Sequence, residues 1–346
     1  MKLLTRTKAC AFLATAAVVP ALVLTGSASA DPTNPAAPRP LAGMGSDTTQ
    51  EVLNALSNVI TIDGQKVLAS YDATGGAIGS TKDPLPAGTD SCAYAANTGT
   101  SAPATRANGS GQGRSRLLEA LTPDNDREGC LDFARSSSLT LGAVPAATGG
   151  LTYVPFAIDA VTYAVRSDSS ITKRLTAAQL KTVYECNAGP NFIPVLPNAS
   201  SGTRQFFLQA IGNPTLGPCV VNGTVNGTVI QENDGSVLTD RRMLVPYSVA
   251  QYNVQSTGIG DLRAQAVLGA IGGVTSQSIN TTAPTGVRTV YNVIPTRRIG
   301  TNPADATLNR VFVGSGSLLC TVGAPVITQQ GFAPSPECGE TDQATP

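Results

Sequence analysis

The run Leu151–Arg166, LTYVPFAIDAVTYAVR, is rich in Val, Ile, Tyr and Phe, the residue types that favour extended backbone. Its apolar positions are nearly continuous, so the residues around Val154–Val165 are predicted to lie in the core. Asp159 is the charged residue in the middle of this run. Candidate strands and helices alternate along the chain on both sides of it, which predicts an α/β fold.

The flanking strands are short apolar or β-branched stretches. They are predicted at Val67–Tyr71, Leu131–Ala134, Ile193–Leu196, Leu244–Tyr252 (passing into a helix) and Val287–Pro295. Helices are predicted where apolar residues recur every three or four positions. These patterns cover Val52–Ile60, Leu117–Leu121, Leu175–Leu180, Phe206–Ile211 and Asn309–Val313. The glycine-containing segment Gly43–Thr49, before the first helix, is predicted to be a loop.

The N-terminus has the pattern of a secretory signal peptide. Residues 1–8 carry three basic side chains, an apolar stretch follows, and Ala28-Ser29-Ala30 has the small residues of a cleavage site. We expect residues 1–30 to be removed after Ala30, and residues 31–40 to form a Pro-rich lead-in. Cys10 lies too early to be a lipidation site at the cleavage junction. The sequence thus predicts a secreted, extracytoplasmic protein without an evident lipid anchor.

Composition excludes several classes of function. The 346 residues suggest two domains, and they include no His, so Ser-His-Asp and Cys-His catalysis and His-ligated metal sites are excluded. Removal of Lys2, Arg6 and Lys8 from the 23 basic residues leaves a mildly acidic chain. A chain of this charge without basic runs is a poor candidate for binding nucleic acid or anionic membranes. We expect neither catalytic residues nor a cofactor or metal.

Cleavage also leaves an even number of cysteines, which in an exported chain indicates disulfides. The six are Cys92, Cys130, Cys186, Cys219, Cys320 and Cys338. Many pairings are open, and we favour neighbours in sequence because each pair then closes a loop within one module.

Two other motifs are weak. Residues 124–129 match half of an EF-hand loop, with Arg135 where the final Glu would stand, and Ser170–Lys173 matches S-x-x-K without its companion motifs.

Gly/Ser/Thr loops precede several predicted helices, at Gly45–Thr48, Gly109–Gly113 and Ser200–Thr203, and Ser136-Ser137-Ser138 follows a strand. Such loops bring backbone N–H groups, hydroxyls and the positive end of a helix dipole together. If they converge, they form an oxyanion site that needs no net positive charge. The alternative is that each is simply a helix N-cap.

Taken in their order along the chain, these loops resemble the landmarks of one known protein family. In order along residues 41–335, the chain resembles the phosphate-binding, extracytoplasmic solute-binding proteins of ABC importers. The landmarks are Gly45-Ser46-Asp47-Thr48, Gly109-Ser110-Gly111-Gln112-Gly113, Asp132–Ser137, Val154–Asp159, Leu175–Tyr184 and Ser201-Gly202-Thr203-Arg204. Later segments, Glu232–Ser236 and Leu244–Gln255, are also similar to that family.

The resemblance implies a two-lobe type II periplasmic-binding-protein fold, with a ligand cleft between the lobes and two crossover strands. By similarity, the crossovers lie near Tyr153–Asp159 and Pro246–Gln255. Lobe one would combine residues 41–153 with 256–346, and lobe two would be residues 154–255. The favoured disulfides respect this division, with Cys186–Cys219 in lobe two and the other pairs in lobe one.

The resemblance also implies the ligand contacts, in four loops. They are Ser46 and Thr48, then Ser110 and Gly111, then Ser136 and Ser137, and finally Ser201, Gly202 and Thr203. The chain departs from the family at two positions. Ser137 stands where the family has the Asp that accepts a proton from phosphate, and Pro197 stands where the family often has an Arg. Arg204 or Arg135 is expected to supply the missing charge, and the lost carboxylate is expected to weaken discrimination against fully ionised oxyanions.

These implications define the expected function. We expect a monomeric, non-enzymatic solute-binding protein that captures a small oxyanion, phosphate first, for uptake through an ABC permease. The alternative is an extracellular binding or adhesion module that retains the fold without a small-anion ligand.

Overall fold

The computed structural model describes residues 31–32, 39–97, 102, 104–271, 286–300 and 305–346. The predicted signal peptide and most of the Pro-rich lead-in lie outside the described residues. Within the described ranges, the strands are β1 Leu41–Gly45, β2 Thr61–Ile62, β3 Gln65–Lys66, β4 Leu68–Ser70, β5 Phe133–Ser136, β6 Leu151–Arg166, β7 Ile193–Leu196, β8 Val221–Asn222, β9 Thr224–Val225, β10 Thr228–Val229, β11 Met243–Ser248, β12 Ala266–Leu268, β13 Val287–Pro295 and β14 Ala333–Pro334. The α-helices are α1 Gln50–Val59, α2 Ser110–Leu121, α3 Ala177–Tyr184, α4 Gly202–Ala210, α5 Val249–Ser256, α6 Ala306–Phe312 and α7 Ala324–Gln329.

The main sheet is one path of hydrogen-bonded neighbouring strands, in the order β4-β1-β5-β13-β6-β11-β7-β8. Strands β12 and β14 also pair with β6. Strands β1, β4 and β5 are parallel to one another, as are β7, β8 and β11. Strand β13 is antiparallel to both β5 and β6. The helices between parallel strands confirm the predicted α/β class.

The long strand β6 is shared by two parts of this path. Its first ten residues, apart from Phe156 at a register shift, pair with β13, from Leu151 opposite Pro295 to Ala160 opposite Val287. The pairing then changes, because Val161 onwards pairs with β11. The same C-terminal part of β6 also pairs with β12. A continuous sixteen-residue strand therefore connects the two parts of the path.

Four buried apolar clusters lie on these two parts, two clusters to each. In the first part, α1, α6 and α7 cover one side, where Leu53 and Phe312 are buried, and α2 covers the other, where Leu117 is buried. In the second part, α3 and α4 supply Leu180 and Phe207 to one cluster, and a further cluster surrounds Tyr247. This layering is typical of two α/β lobes. The residue boundaries given above for the lobes stay a prediction.

The prediction of a loop at Gly43–Thr49 is partly wrong, because Leu41–Gly45 is the buried strand β1. Its sequence, LAGMG, lacks the β-branched and aromatic residues that mark the other strands. Gly45 has a φ of 145°, and a Cβ there would lie 2.4 Å from the carbonyl oxygen of Arg135. The close contact with β5 therefore requires glycine at position 45, and glycine is a residue type that does not predict a strand.

Local sequence patterns predicted several other elements correctly. The predicted run Leu151–Arg166 and the strand Ile193–Leu196 have the bounds of β6 and β7. The helix start predicted at Leu175–Leu180 is the capping box of α3, in which Thr176 and Gln179 bond each other's backbone N–H groups. The structure joins Cys92 to Cys130, Cys186 to Cys219 and Cys320 to Cys338, as predicted. Among the described residues, no helix is both long and apolar enough to cross a bilayer.

Candidate functional site

Hydroxyl groups from three of the predicted loops meet at Ser137. Ser46 Oγ donates to Ser137 Oγ at 3.0 Å, and Ser110 Oγ lies 3.3 Å from the same atom. The backbone N–H of Ser137 donates to Ser110 Oγ at 2.9 Å. All three residues are almost fully buried. The structure therefore brings the first, second and third loops into direct contact.

The fourth loop reaches this cluster from the other side. Thr203 Oγ1 lies 3.0 Å from Thr48 Oγ1, and both side chains are fully buried. Gly202 packs against the hydroxyls, since a Cβ there would lie 2.5 Å from Ser110 Oγ and 2.6 Å from Ser137 Oγ. We call Ser46, Thr48, Ser110, Ser137 and Thr203 the hydroxyl cluster.

Two helices begin at the hydroxyl cluster. Ser110 is the first residue of α2, and Gly202 is the first residue of α4. Ser201 is the N-cap of α4, and its Oγ accepts from the N–H of Arg204 at 2.9 Å. The first turn of a helix carries free N–H groups and a partial positive charge, so both helices favour an anion here.

Two carboxyl groups lie beside the cluster. Asp47 and Glu232 are 3% and 1% exposed, and the N–H of Glu232 donates to Asp47 Oδ2 at 3.2 Å. Ser201 Oγ donates to Glu232 Oε1. Burial, followed by the negative charge of Asp47 and a hydrogen bond between the two side chains, raises the pKa of Glu232 well above its ordinary value. Glu232 therefore keeps its proton to a higher pH than an ordinary glutamate does.

Two buried arginines, Arg135 and Arg288, donate hydrogen bonds to backbone carbonyls of the first and third loops. Arg135 donates from Nε to the Ser46 carbonyl at 3.0 Å and from Nη1 to Ser70 Oγ at 2.9 Å. Burial lowers the pKa of Arg135 to about 10, although the charges of Asp72 and Asp47 raise it. The guanidinium therefore stays charged at neutral pH and supplies positive potential behind the first loop.

Arg288, on β13, holds the third loop and the long strand together. Its Nη1 donates to the Ser137 carbonyl at 3.1 Å, and its Nη2 donates to Asp159 Oδ2 at 2.8 Å. Asp159 also accepts from Ser248 Oγ at 2.9 Å and from the N–H of Ala250 at 3.1 Å. The charge in the middle of β6 is therefore paired at the point where β6 changes partners.

Three residues of the predicted site face elsewhere. The N–H of Gly111 donates to the Ser200 carbonyl at 2.9 Å, and Ser136 Oγ donates to the Ser138 carbonyl at 2.7 Å. The guanidinium of Arg204 donates to the Pro197 carbonyl and to Asn222 Oδ1. The structure thus does not bring the Arg204 charge into the hydroxyl cluster, where it was expected from the sequence.

Glu232 and Arg288 belong to the site but not to the predicted set. Gln251 is a third such residue, since its Nε2 donates to the Thr48 carbonyl at 2.7 Å. One signal was available for Arg288, because it is a charge within a predicted strand, as Asp159 is, and a buried charge requires a partner.

An α/β protein whose polar loops converge between two layered halves has the architecture of a binding protein with a central cleft. The PBP superfamily domain model matches residues 44–282, and the chain belongs to this superfamily. The resemblance inferred from the ordered loops is therefore confirmed at the level of the family. No curated protein sequence matches the chain.

Solved structures share the fold at low sequence identity. A phosphate ABC transporter substrate-binding protein of Clostridium perfringens, solved with bound phosphate, is 14% identical with a TM-score of 0.54, and the match covers 85% of this chain and 99% of that one. A phosphate-binding protein of Stenotrophomonas maltophilia is 12% identical with a TM-score of 0.50, covering 86% and 91% of the two chains.

Proposed function

We propose that the protein is an exported, non-enzymatic solute-binding protein that takes a small oxyanion, phosphate first, at the hydroxyl cluster. The observation that carries this proposal is the meeting of five buried hydroxyls, from four loops, at the first turns of α2 and α4. Hydroxyl and N–H donors at helix N-termini are the groups that hold oxyanions in proteins. We expect export after cleavage at Ala30, monomeric behaviour and delivery to an ABC permease.

Binding requires the hydroxyls to exchange partners. In the structure the three serine hydroxyls contact one another through Ser137, and the two threonine hydroxyls contact each other, at 3.0–3.3 Å. An oxyanion that contacts all five must take the place of these hydrogen bonds. We propose that the two lobes separate to admit the anion and then close on it. Each hydroxyl would then donate to an anion oxygen instead of to a neighbouring hydroxyl, and such charge-assisted bonds are the stronger ones.

The Asp47–Glu232 pair would provide selectivity. Negative charge on these acidic groups would oppose a fully ionised anion such as sulfate. A protonated phosphate brings its own hydrogen and can donate it to the pair. The pair would therefore take over the role expected of an Asp at position 137, and phosphate or arsenate is favoured over sulfate.

Titration calorimetry of residues 31–346 with phosphate, arsenate and sulfate at pH 5.5–8 tests this proposal. We expect phosphate and arsenate to bind, and sulfate to bind at least about tenfold more weakly, a difference of about 1.4 kcal/mol. Equal binding of all three anions would contradict the role of the carboxyl pair while leaving the oxyanion site in place.

A second candidate function is supported by the same contacts. Because the hydroxyls already satisfy one another and Gly202 fits against them, the loops need no ligand to stay together. The protein would then be an extracellular binding or adhesion module that keeps the fold. The absence of heat with every anion, together with no anion-dependent rise in the melting temperature, would favour this candidate.

A further inference from the structure

A side cavity of about 210 Å³ opens next to the hydroxyl cluster. Its walls include Ser137, Gln205, Phe206, Arg288, Thr289 and Tyr291. Ser137 belongs to both the cavity wall and the cluster, so the cavity lies directly beside the cluster. The volume exceeds the ~30 Å³ of one water and falls below the ~300–1,000 Å³ of pockets for drug-sized ligands, which indicates a small substituent.

The walls of the side cavity come from elements that the cleft brings together. Ser137 follows β5, Gln205 and Phe206 lie on α4, and Arg288 and Thr289 lie on β13. The third loop meets α4 at the hydroxyl cluster, where Gly202 packs on Ser137. In the proposed closure, the third loop and α4 would come together around the side cavity as well as around the anion.

The chemistry of the walls indicates an uncharged, hydroxylated group. The charge of Arg288 is compensated by Asp159, and its guanidinium lies 5.8 Å from the centre of the Phe206 ring. The amide of Gln205 and the hydroxyl of Thr289 can both donate and accept hydrogen bonds. Amide and hydroxyl groups beside an aromatic face suit the hydroxyls and C–H groups of a small polyol.

We propose that the ligand is a phosphate monoester of a small polyol, with its phosphate in the hydroxyl cluster and its polyol in the side cavity. This inference rests on the proposed function. Ser137 supports it, because an ester oxygen lacks the proton that a carboxylate at this position would have to accept, whereas a hydroxyl can donate to that oxygen. The Asp47–Glu232 pair contacts Ser201 and is not among the residues that line the side cavity.

The test compares glycerol 1-phosphate with inorganic phosphate by calorimetry at pH 5.5, below the second pKa of about 6, so that both carry a proton. We expect glycerol 1-phosphate to bind at least about tenfold more tightly, the factor that two or three added hydrogen bonds supply. Thr289→Met should fill the side cavity and remove this advantage while inorganic phosphate binds as before. Thr182→Met, at an exposed threonine of α3, is the matched control.

Each outcome decides the inference. If phosphate binds and glycerol 1-phosphate binds equally or more weakly, the inference is overturned and the oxyanion site stands. If neither binds, both fail. Gln205→Leu, which removes the amide without adding bulk, gives a second measurement should Thr289→Met fold poorly. An advantage of the ester that survives in both variants would show that its organic part does not lie in this cavity.

Discussion

Two buried polar clusters differ in how their charge is compensated. One is the carboxyl pair Asp47–Glu232; the other is Asp159–Arg288, which we call the hinge pair because it lies where β6 changes its strand partners. Asp159 is fully buried and accepts four hydrogen bonds, two of them from Arg288. Asp47 and Glu232 place two acidic groups together, and within the described residues Asp47 Oδ1 has no hydrogen-bond partner.

The difference separates a structural role from a ligand-responsive one. Both carboxylate oxygens of Asp159 accept hydrogen bonds, so the hinge pair fixes β6 to β13 and to the start of α5. The carboxyl pair keeps an unused acceptor at Asp47 Oδ1 that a partner carrying a proton can bond, and groups with perturbed pKa values cluster at functional sites. We therefore assign positioning to the hinge pair and anion selection to the carboxyl pair.

Breaking the hinge pair should have the largest effect on stability. Arg288→Ala leaves Asp159 buried without its countercharge, and we expect a loss of about 3–5 kcal/mol in the free energy of unfolding. Urea denaturation measures this loss. Arg242→Ala removes an arginine from the exposed pair with Asp240 and should change stability little. Equal effects of the two substitutions would show that the hinge pair does not fix the strand.

The carboxyl pair should give the protein a pH-dependent stability. Because the pKa of Glu232 is raised on folding, its contribution is complete below the ordinary carboxyl pKa and is lost as pH rises through the raised value. We expect the free energy of unfolding to fall by roughly 1.4 kcal/mol for each pH unit between the ordinary and the raised pKa.

Glu232→Gln keeps the size and hydrogen bonding of the side chain but removes its titration. Its unfolding free energy should change less between pH 4.5 and 8 than that of the parent protein. Glu340→Gln, at an exposed position, is the control and should keep the parent's pH dependence. Parallel pH profiles for the parent and Glu232→Gln would show that Glu232 does not hold the proton.

Asp47→Asn tests selectivity within the same pair. The amide oxygen can still accept from the N–H of Glu232, but the negative charge beside the cluster is gone. We expect the preference for phosphate over sulfate to fall by about tenfold, measured by competition binding at pH 7. Asp126→Asn, at an exposed turn, should leave the preference unchanged.

The smallest effect is expected at Arg204. Because its guanidinium bonds the Pro197 carbonyl and Asn222, Arg204→Ala should change phosphate affinity by less than about twofold. A much larger loss in calorimetry would show that this side chain turns into the cleft when the anion binds, as expected from the sequence.

The parts of the fold that the sequence predicted well are those with strong local signals. The continuous apolar run of β6 and the capping box of α3 identify themselves within a few residues. Strand β1 was missed because it keeps its place through small residues that allow close contact with β5. What determines β1 is its packing against the neighbouring strand β5, and its own residue types do not indicate a strand.

The site divides in the same way. The hydroxyl loops could be found because their order along the chain resembles that of a known family, and each sits at the start of a helix or the end of a strand. The carboxyl pair joins residues 185 positions apart, and the hinge pair joins residues 129 positions apart. No local pattern specifies such partners, so charges inside apolar segments indicate only that a partner exists.

Phosphate calorimetry of Ser110→Ala beside Ser115→Ala tests the central claim most directly. Both serines lie on α2, but Ser110 belongs to the hydroxyl cluster, whereas Ser115 is exposed. We predict that Ser110→Ala weakens phosphate binding by about tenfold or more, since it removes one hydrogen bond to a charged group, and that Ser115→Ala binds like the parent. Equal phosphate affinity of the two variants would contradict an oxyanion site at the hydroxyl cluster.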